Sequence, residues 1–297
     1  MTKQPLFSGC ATALVTPFLP DGRLDIPSLR RLISFQIDAG MDALVLVGTT
    51  GEPNTLKMDE REMIIRTGVE LVAGRIPVII GTGSNDTRRA MDYAQQAERL
   101  GADGQLCVTP YYNKTTQSGL IRHYSAILDA CALPMILYNV PSRTGMSLSA
   151  QTAAVLSRHP HAAGLKDASG SVSYASDILQ ATGGELFLYC GNDDSITAYM
   201  ALGAIGAISV CSNIVPVQTK AITHACLHGC FNEARNEQLA LLPLIRGLFA
   251  QVSPIPIKAA LAMNGQIHDA LRLPLTSLEG PERNELKELL EQLHLIR

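Results

Sequence analysis

The stretch Ala39-Gly40-Met41-Asp42-Ala43-Leu44-Val45-Leu46-Val47-Gly48 decides the fold. A glycine signal closes one helical pattern, and a short run of branched apolar residues follows at once. That run is long enough for a buried strand and too short for a helix. The same junction recurs at Leu100-Gly101-Ala102 and Leu202-Gly203-Ala204, too regularly for two unrelated domains. Strand-like runs fall at 11–18, 42–48, 77–83, 104–110, 134–141, 162–169, 185–192 and 206–211. Helical patterns lie between them, among others at 27–39, 59–73, 86–100, 117–132 and 150–158. Strands alternating with helices imply a parallel sheet. Eight such units close into a (β/α)8 TIM barrel, whereas a doubly wound sheet normally uses fewer strands and reverses midway.

After the eighth strand and its helix at about 216–228, strand-like alternation stops, and helical patterns follow at about 232–250, 256–263 and 281–293. The expected organisation is a barrel over residues 1–228 that carries the active site, and a helical extension over 229–297. The 297-residue length fits this, and 46% hydrophobic, 17% charged and 5% aromatic residues exclude a coiled coil, a fibre and a disordered tail. The 24 basic and 27 acidic residues give a net charge of -3, with no basic run to track phosphates, so a nucleic-acid partner is not expected. No apolar run reaches signal-peptide or membrane-spanning length. Seven cysteines, mostly inside apolar runs, read as free thiols in a reducing cytoplasm.

In a barrel of this kind, reacting groups come from the C-terminal ends of the strands. Those ends read Gly48-Thr49-Thr50-Gly51-Glu52, Thr109-Pro110-Tyr111-Tyr112-Asn113, Tyr138-Asn139 before Pro141-Ser142-Arg143-Thr144-Gly145, Gly164-Leu165-Lys166-Asp167-Ala168, and Gly191-Asn192-Asp193. Of seven lysines, Lys166 alone falls in an expected strand. A Schiff-base nucleophile needs a neutral amine, which burial and nearby cations favour. The competing reading is a lysine salt-bridged to a strand-end carboxylate such as Asp193.

Tyr138, on the neighbouring strand, is placed to move protons, with a relay through Thr49 to a second phenol at Tyr111 or Tyr112. Structural tyrosines would look the same. The planar fork of Arg143 suits a substrate carboxylate, or it orders its own loop. Thr49 and Thr50 could offer hydroxyls and amides to another carboxylate, or cap a helix. Gly81-Thr82-Gly83 lacks the third glycine of a dinucleotide loop, and Asn85-Asp86 reads as a helix cap, so no cofactor is expected. No metal is expected either: the His224, Cys226, His228 and Cys230 pairs lie on different helix faces.

In order and spacing, these strand-end motifs resemble those of the dihydrodipicolinate (4-hydroxy-tetrahydrodipicolinate) synthase family, among the pyruvate-dependent Schiff-base aldolases. The likeness covers essentially the whole chain. It implies a lyase in which Lys166 forms an imine with pyruvate, and the resulting enamine attacks L-aspartate 4-semialdehyde in lysine and diaminopimelate biosynthesis. It further implies catalytic roles for Tyr138, Thr49 and Tyr112, the last from a neighbouring subunit. Pyruvate would be held by Thr50 and the Ile208 backbone with Gly191 close by, and the semialdehyde carboxylate by Arg143. The assembly implied is a homotetramer, a dimer of tight dimers.

Lysine-inhibited members carry a glutamate and histidines in an allosteric cleft near Asn85 and Tyr111, where this chain has Arg89, Met58 and Arg61. Weak inhibition by lysine is expected. The alternative within the same superfamily is an N-acetylneuraminate lyase or a 2-keto-3-deoxy sugar acid aldolase.

Overall fold

In the computed structural model, which describes residues 3–296, eight parallel strands close into a barrel in chain order. The strands are β1 Gly9–Ala13, β2 Ala43–Leu46, β3 Val78–Gly81, β4 Gly104–Val108, β5 Met135–Asn139, β6 Ala162–Asp167, β7 Phe187–Cys190 and β8 Gly206–Ser209. Closure comes from β1 lying parallel to β8, with Gly9 opposite Gly206 and Ala11 opposite Ile208. A Cβ on Gly206 would sit 2.2 Å from the Gly9 carbonyl oxygen, so the seam requires glycine there.

Around the barrel lie α1 Ile26–Asp38, α2 Met58–Val72, α3 Thr87–Arg99, α4 Gln117–Ala130, the one-turn α5 Pro141–Thr144, α6 Ala150–Leu156, α7 Val172–Thr182, α8 Ile196–Ala201 and α9 Pro216–Leu227. The extension supplies α10 Phe231–Leu248, α11 Ile255–Met263 and α12 Gly280–Gln292. Several barrel helices begin on side-chain caps: Asp25 accepts from the Ser28 amide, Asp86 from Arg88 and Ser171 from Tyr174. Each such cap contributes about 1 kcal/mol.

Strand alternation divides the core in two. Ala43, Val45, Ile79, Ile136, Tyr138 and Ile208 point inward and fill the barrel. Leu44, Leu46, Ile80, Leu137 and Leu165 point outward against the helices. That outer layer continues without interruption into Leu244, Leu248, Ile257 and Leu261 of the extension. All eight expected strands are present, mostly shorter than their apolar runs. The first is displaced: the chain leaves the ladder after Ala13, and Leu14, Val15 and Phe18 turn into the outer core instead.

Candidate active site

The inward and outward alternation places β5 and β6 so that Tyr138 lies beside Lys166 and Asn139 beside Asp167. Tyr138 and Lys166 face the barrel mouth, and the Lys166 Nζ stands 4.4 Å from the centre of the Tyr138 ring. Asn139 and Asp167 face outward, where they brace the strand ends. Asp167 accepts hydrogen bonds from Asn139 Nδ2 at 2.9 Å, Tyr199 Oη at 2.6 Å and Ser169 Oγ at 2.7 Å. On the other flank of Lys166, the Tyr189 phenol is committed to the Phe7 carbonyl at 2.9 Å.

Lys166, Tyr138, Thr49, Thr50, Arg143 and Gly191 line one cavity of about 190 Å³ at the C-terminal mouth of the barrel. That volume lies below the range for drug-sized ligands and suits a small acid. Gly191 is required by closeness: a methyl there would sit 3.0 Å from Lys166 Cε and 2.8 Å from the Asp167 carbonyl. Ile208 lies deeper, wholly buried in the inner core on β8.

A second cavity of about 300 Å³ adjoins the first, and Thr49, Val140, Arg143 and Ser253 border both. Arg143, exposed on α5, is anchored by its Nη2 donating to the Ser253 carbonyl at 2.9 Å. Ser253 and Phe249, from the extension, also line the Lys166 cavity.

Among the described residues, Lys166 Nζ makes no hydrogen bond and no ion pair within 4 Å, and the hydroxyls of Tyr138, Thr49 and Thr50 bond to no protein group. Lys166, Tyr138 and Thr50 are buried and Thr49 half-buried, and all four line the open cavity, where their uncommitted polar groups are available to a ligand. The salt-bridge reading of Lys166 is thereby set aside. Asp193 instead accepts from the Val210 and Cys211 amides at 3.0 and 2.8 Å and orders the loop after β8. Burial pushes the Asp193 carboxyl pKa up against those bonds and the Lys166 charge. Nor do the threonines cap a helix by side chain. Thr49–Gly51 forms a 3₁₀ turn after Gly48, flanked by Val47 and Glu52 at φ 55° and 53°. Left-handed backbone at a branched residue is a genuine strain, of the sort that collects at functional sites.

The two tyrosines after β4 separate. Tyr111 borders the second cavity and donates to Asn54 Oδ1 at 2.9 Å, while burial raises its phenol pKa. Tyr112, at φ 69°, is 93% exposed and absent from the cavity around its own Lys166. Asn85 accepts from Asn113 Nδ2 through its carbonyl. Nearby, Arg61 is fully buried, stacked 3.8 Å over the Tyr93 ring and bonded to the Gly81 carbonyl. Its Nε has no partner, no carboxylate pairs with it among the described residues, and burial lowers its pKa to about 10. In the His/Cys tract, His224 pairs with Asp42 at 3.0 Å and His228 bonds the His224 carbonyl.

Sequence reasoning missed a buried charge network behind the threonine turn. Lys258 on α11 and Glu52, both with wholly buried side chains, form an ion pair of 2.6 Å. Lys258 was visible as the lone charge in the apolar run of α11; its partner was not.

A sequence profile described as the dihydrodipicolinate synthetase family matches residues 6–293. A 4-hydroxy-tetrahydrodipicolinate synthase of Exiguobacterium sibiricum is 48% identical over 91% of this chain and 92% of its own. The protein of the same name from Alkaliphilus oremlandii is 44% identical over 98% of this chain and 100% of its own. Among solved structures, the chloride-inhibited dihydrodipicolinate synthase of Acinetobacter baumannii, complexed with pyruvate, superposes with a TM-score of 0.95 at 42% identity, covering 97% of this chain and 99% of that one.

Proposed function

The chain belongs to the dihydrodipicolinate synthetase family, and on that premise we propose which residues carry its chemistry. It is a lyase of the class I aldolase type that condenses pyruvate with L-aspartate 4-semialdehyde to 4-hydroxy-tetrahydrodipicolinate in lysine biosynthesis. The observation that carries the assignment is the uncommitted Lys166 amine beside Tyr138 in a small cavity edged by Thr49 and Thr50.

In the proposed sequence, the neutral Lys166 amine adds to the pyruvate C2 carbonyl, and water leaves to give the imine. Loss of a C3 proton gives the enamine, whose C3 bonds to the aldehyde carbon while the aldehyde oxygen takes a proton. The amino group of the semialdehyde portion then attacks C2, closes the ring and releases Lys166. Tyr138 gives and takes the protons, and Thr49 links it to the partner subunit's Tyr112. Thr50 and the Ile208 backbone hold the pyruvate part, with Gly191 leaving room beside the lysine. Arg143, at the boundary of the two cavities, receives the semialdehyde carboxylate as a planar fork. A guanidinium at that boundary favours this substrate over the polyhydroxyl chain of a sugar acid.

The proposed assembly is a homotetramer, a dimer of tight dimers. Its support is Tyr112, turned away from its own cavity, together with Leu273, 79% exposed. A cytoplasmic location is supported by seven free cysteines, six of them buried, and no helix of the described residues is long and apolar enough to cross a membrane. Weak lysine inhibition is supported by Arg61 and Arg89 near Tyr111, which offer cations where an ammonium needs an acid.

The test is a coupled assay of pyruvate with aspartate semialdehyde beside a panel of sugar-acid substrates, repeated with added lysine. Turnover confined to the semialdehyde, with little response to lysine, is expected. Preference for a sugar acid would overturn the substrate assignment, and strong inhibition at sub-millimolar lysine would overturn the regulatory one.

A further inference from the structure

Behind the Thr49–Gly51 turn, the extension contributes two charged side chains, Lys258 and Arg272. The Lys258 Nζ donates to Glu52 Oε1 at 2.6 Å and to the Thr16 carbonyl at 2.9 Å. The Thr16 hydroxyl in turn donates to the Gly51 carbonyl at 2.8 Å. Glu52 Oε2 accepts from the Arg272 amide at 3.1 Å, and the Arg272 guanidinium reaches the Thr55 carbonyl at 2.7 Å. Lys258 and Arg272 both lie over the Phe18 ring, at 4.3 and 4.4 Å. Glu52, within this arrangement, and Val47, just before the turn, hold left-handed backbone that side-chain-bearing residues rarely adopt. Such conformations persist only where their surroundings over-determine them. A fully desolvated ion pair contributes little net stability, so its presence here calls for another purpose.

We infer that Lys258 is a positioning residue, which through Glu52 and Thr16 holds the Thr49–Gly51 turn so that both threonines face Lys166. It touches no reacting atom. The inference rests on the proposed role of Lys166 and of the two threonines, and it adds a residue from outside the barrel to the site.

The test compares wild type with three variants: Lys258→Met, Lys258→Met paired with Glu52→Gln so that no charge is left buried alone, and Thr16→Val, which removes only the bond to Gly51. Borohydride reduction in the presence of pyruvate counts the sites able to form the imine. kcat is then expressed per trapped site, and KM is measured for pyruvate. The folded variants are expected to form the imine while kcat per trapped site falls at least about tenfold, less than the roughly 10²–10⁴-fold lost with a proton-transfer group itself, and KM for pyruvate rises. If kcat and trapped fraction instead fall together, with KM unchanged, Lys258 is merely structural and the inference fails. It fails equally if the double variant and Thr16→Val both match wild type. An untrapped wild type would overturn the Lys166 assignment itself, and this inference with it.

Discussion

Lys166 owes its position to parity along β6. Leu165 and Asp167 face the helices, so Lys166 must face the barrel, directly beside Tyr138. A shift of one residue would put the amine in the outer core and the carboxylate in the cavity. Burial also acts on a titratable residue away from the Lys166 cavity. His123 on α4 has Nδ1 at 2.8 Å from the Thr87 hydroxyl and a buried Nε2 with no partner. Burial holds its imidazole at about 4, against an ordinary 6.5, with Asp86 opposing. The folded value is depressed, so the unfolded chain binds the proton more readily. Stability from the neutral ring is therefore complete above about pH 6.5 and is lost as pH falls toward about 4. His123→Gln is expected to flatten the decline of Tm across that window. Equal slopes for the two proteins would show that His123 does not set it.

At the scale of elements, the barrel strands were legible because each is a short apolar run between a glycine or proline and a polar loop. The helical extension was legible from periodicity alone. What remained hidden depends on contacts distant along the chain. Lys258 and Glu52 are separated by 206 positions, and nothing local to either marks the other. Arg143 was readable as a strand-end residue, but its anchor is a backbone carbonyl, at Ser253, which carries no sequence signature. The displaced start of β1 has the same origin, since Leu14 and Val15 are apolar enough for a strand and tertiary packing takes them elsewhere. The expected division after residue 228 crosses an unbroken outer core, in which Leu248 of α10 is fully buried. Leu248→Ala should therefore destabilise the barrel and extension together by about 2–5 kcal/mol. Two separate unfolding transitions, with only one displaced, would instead show that the extension melts independently.

For the whole molecule, the role proposed for Tyr112, which is exposed on its own chain, would make the site one shared between subunits. Tyr112→Phe should lower kcat by about 10²–10⁴-fold, the scale of one general acid–base group. Dissociating and reassembling Tyr112→Phe with Lys166→Ala should restore part of the activity, because a mixed pair of subunits contains one site with both groups intact. No recovery, with mixed pairs confirmed by mass, would place the relay within a single chain. The proposed condensation depends on Lys166 bonding covalently to the substrate. Borohydride reduction with pyruvate, followed by peptide mass analysis, reads that step directly. The account predicts a three-carbon adduct on Lys166, with Lys258, the other buried lysine, unmodified. An adduct elsewhere, or none while turnover persists, would contradict it.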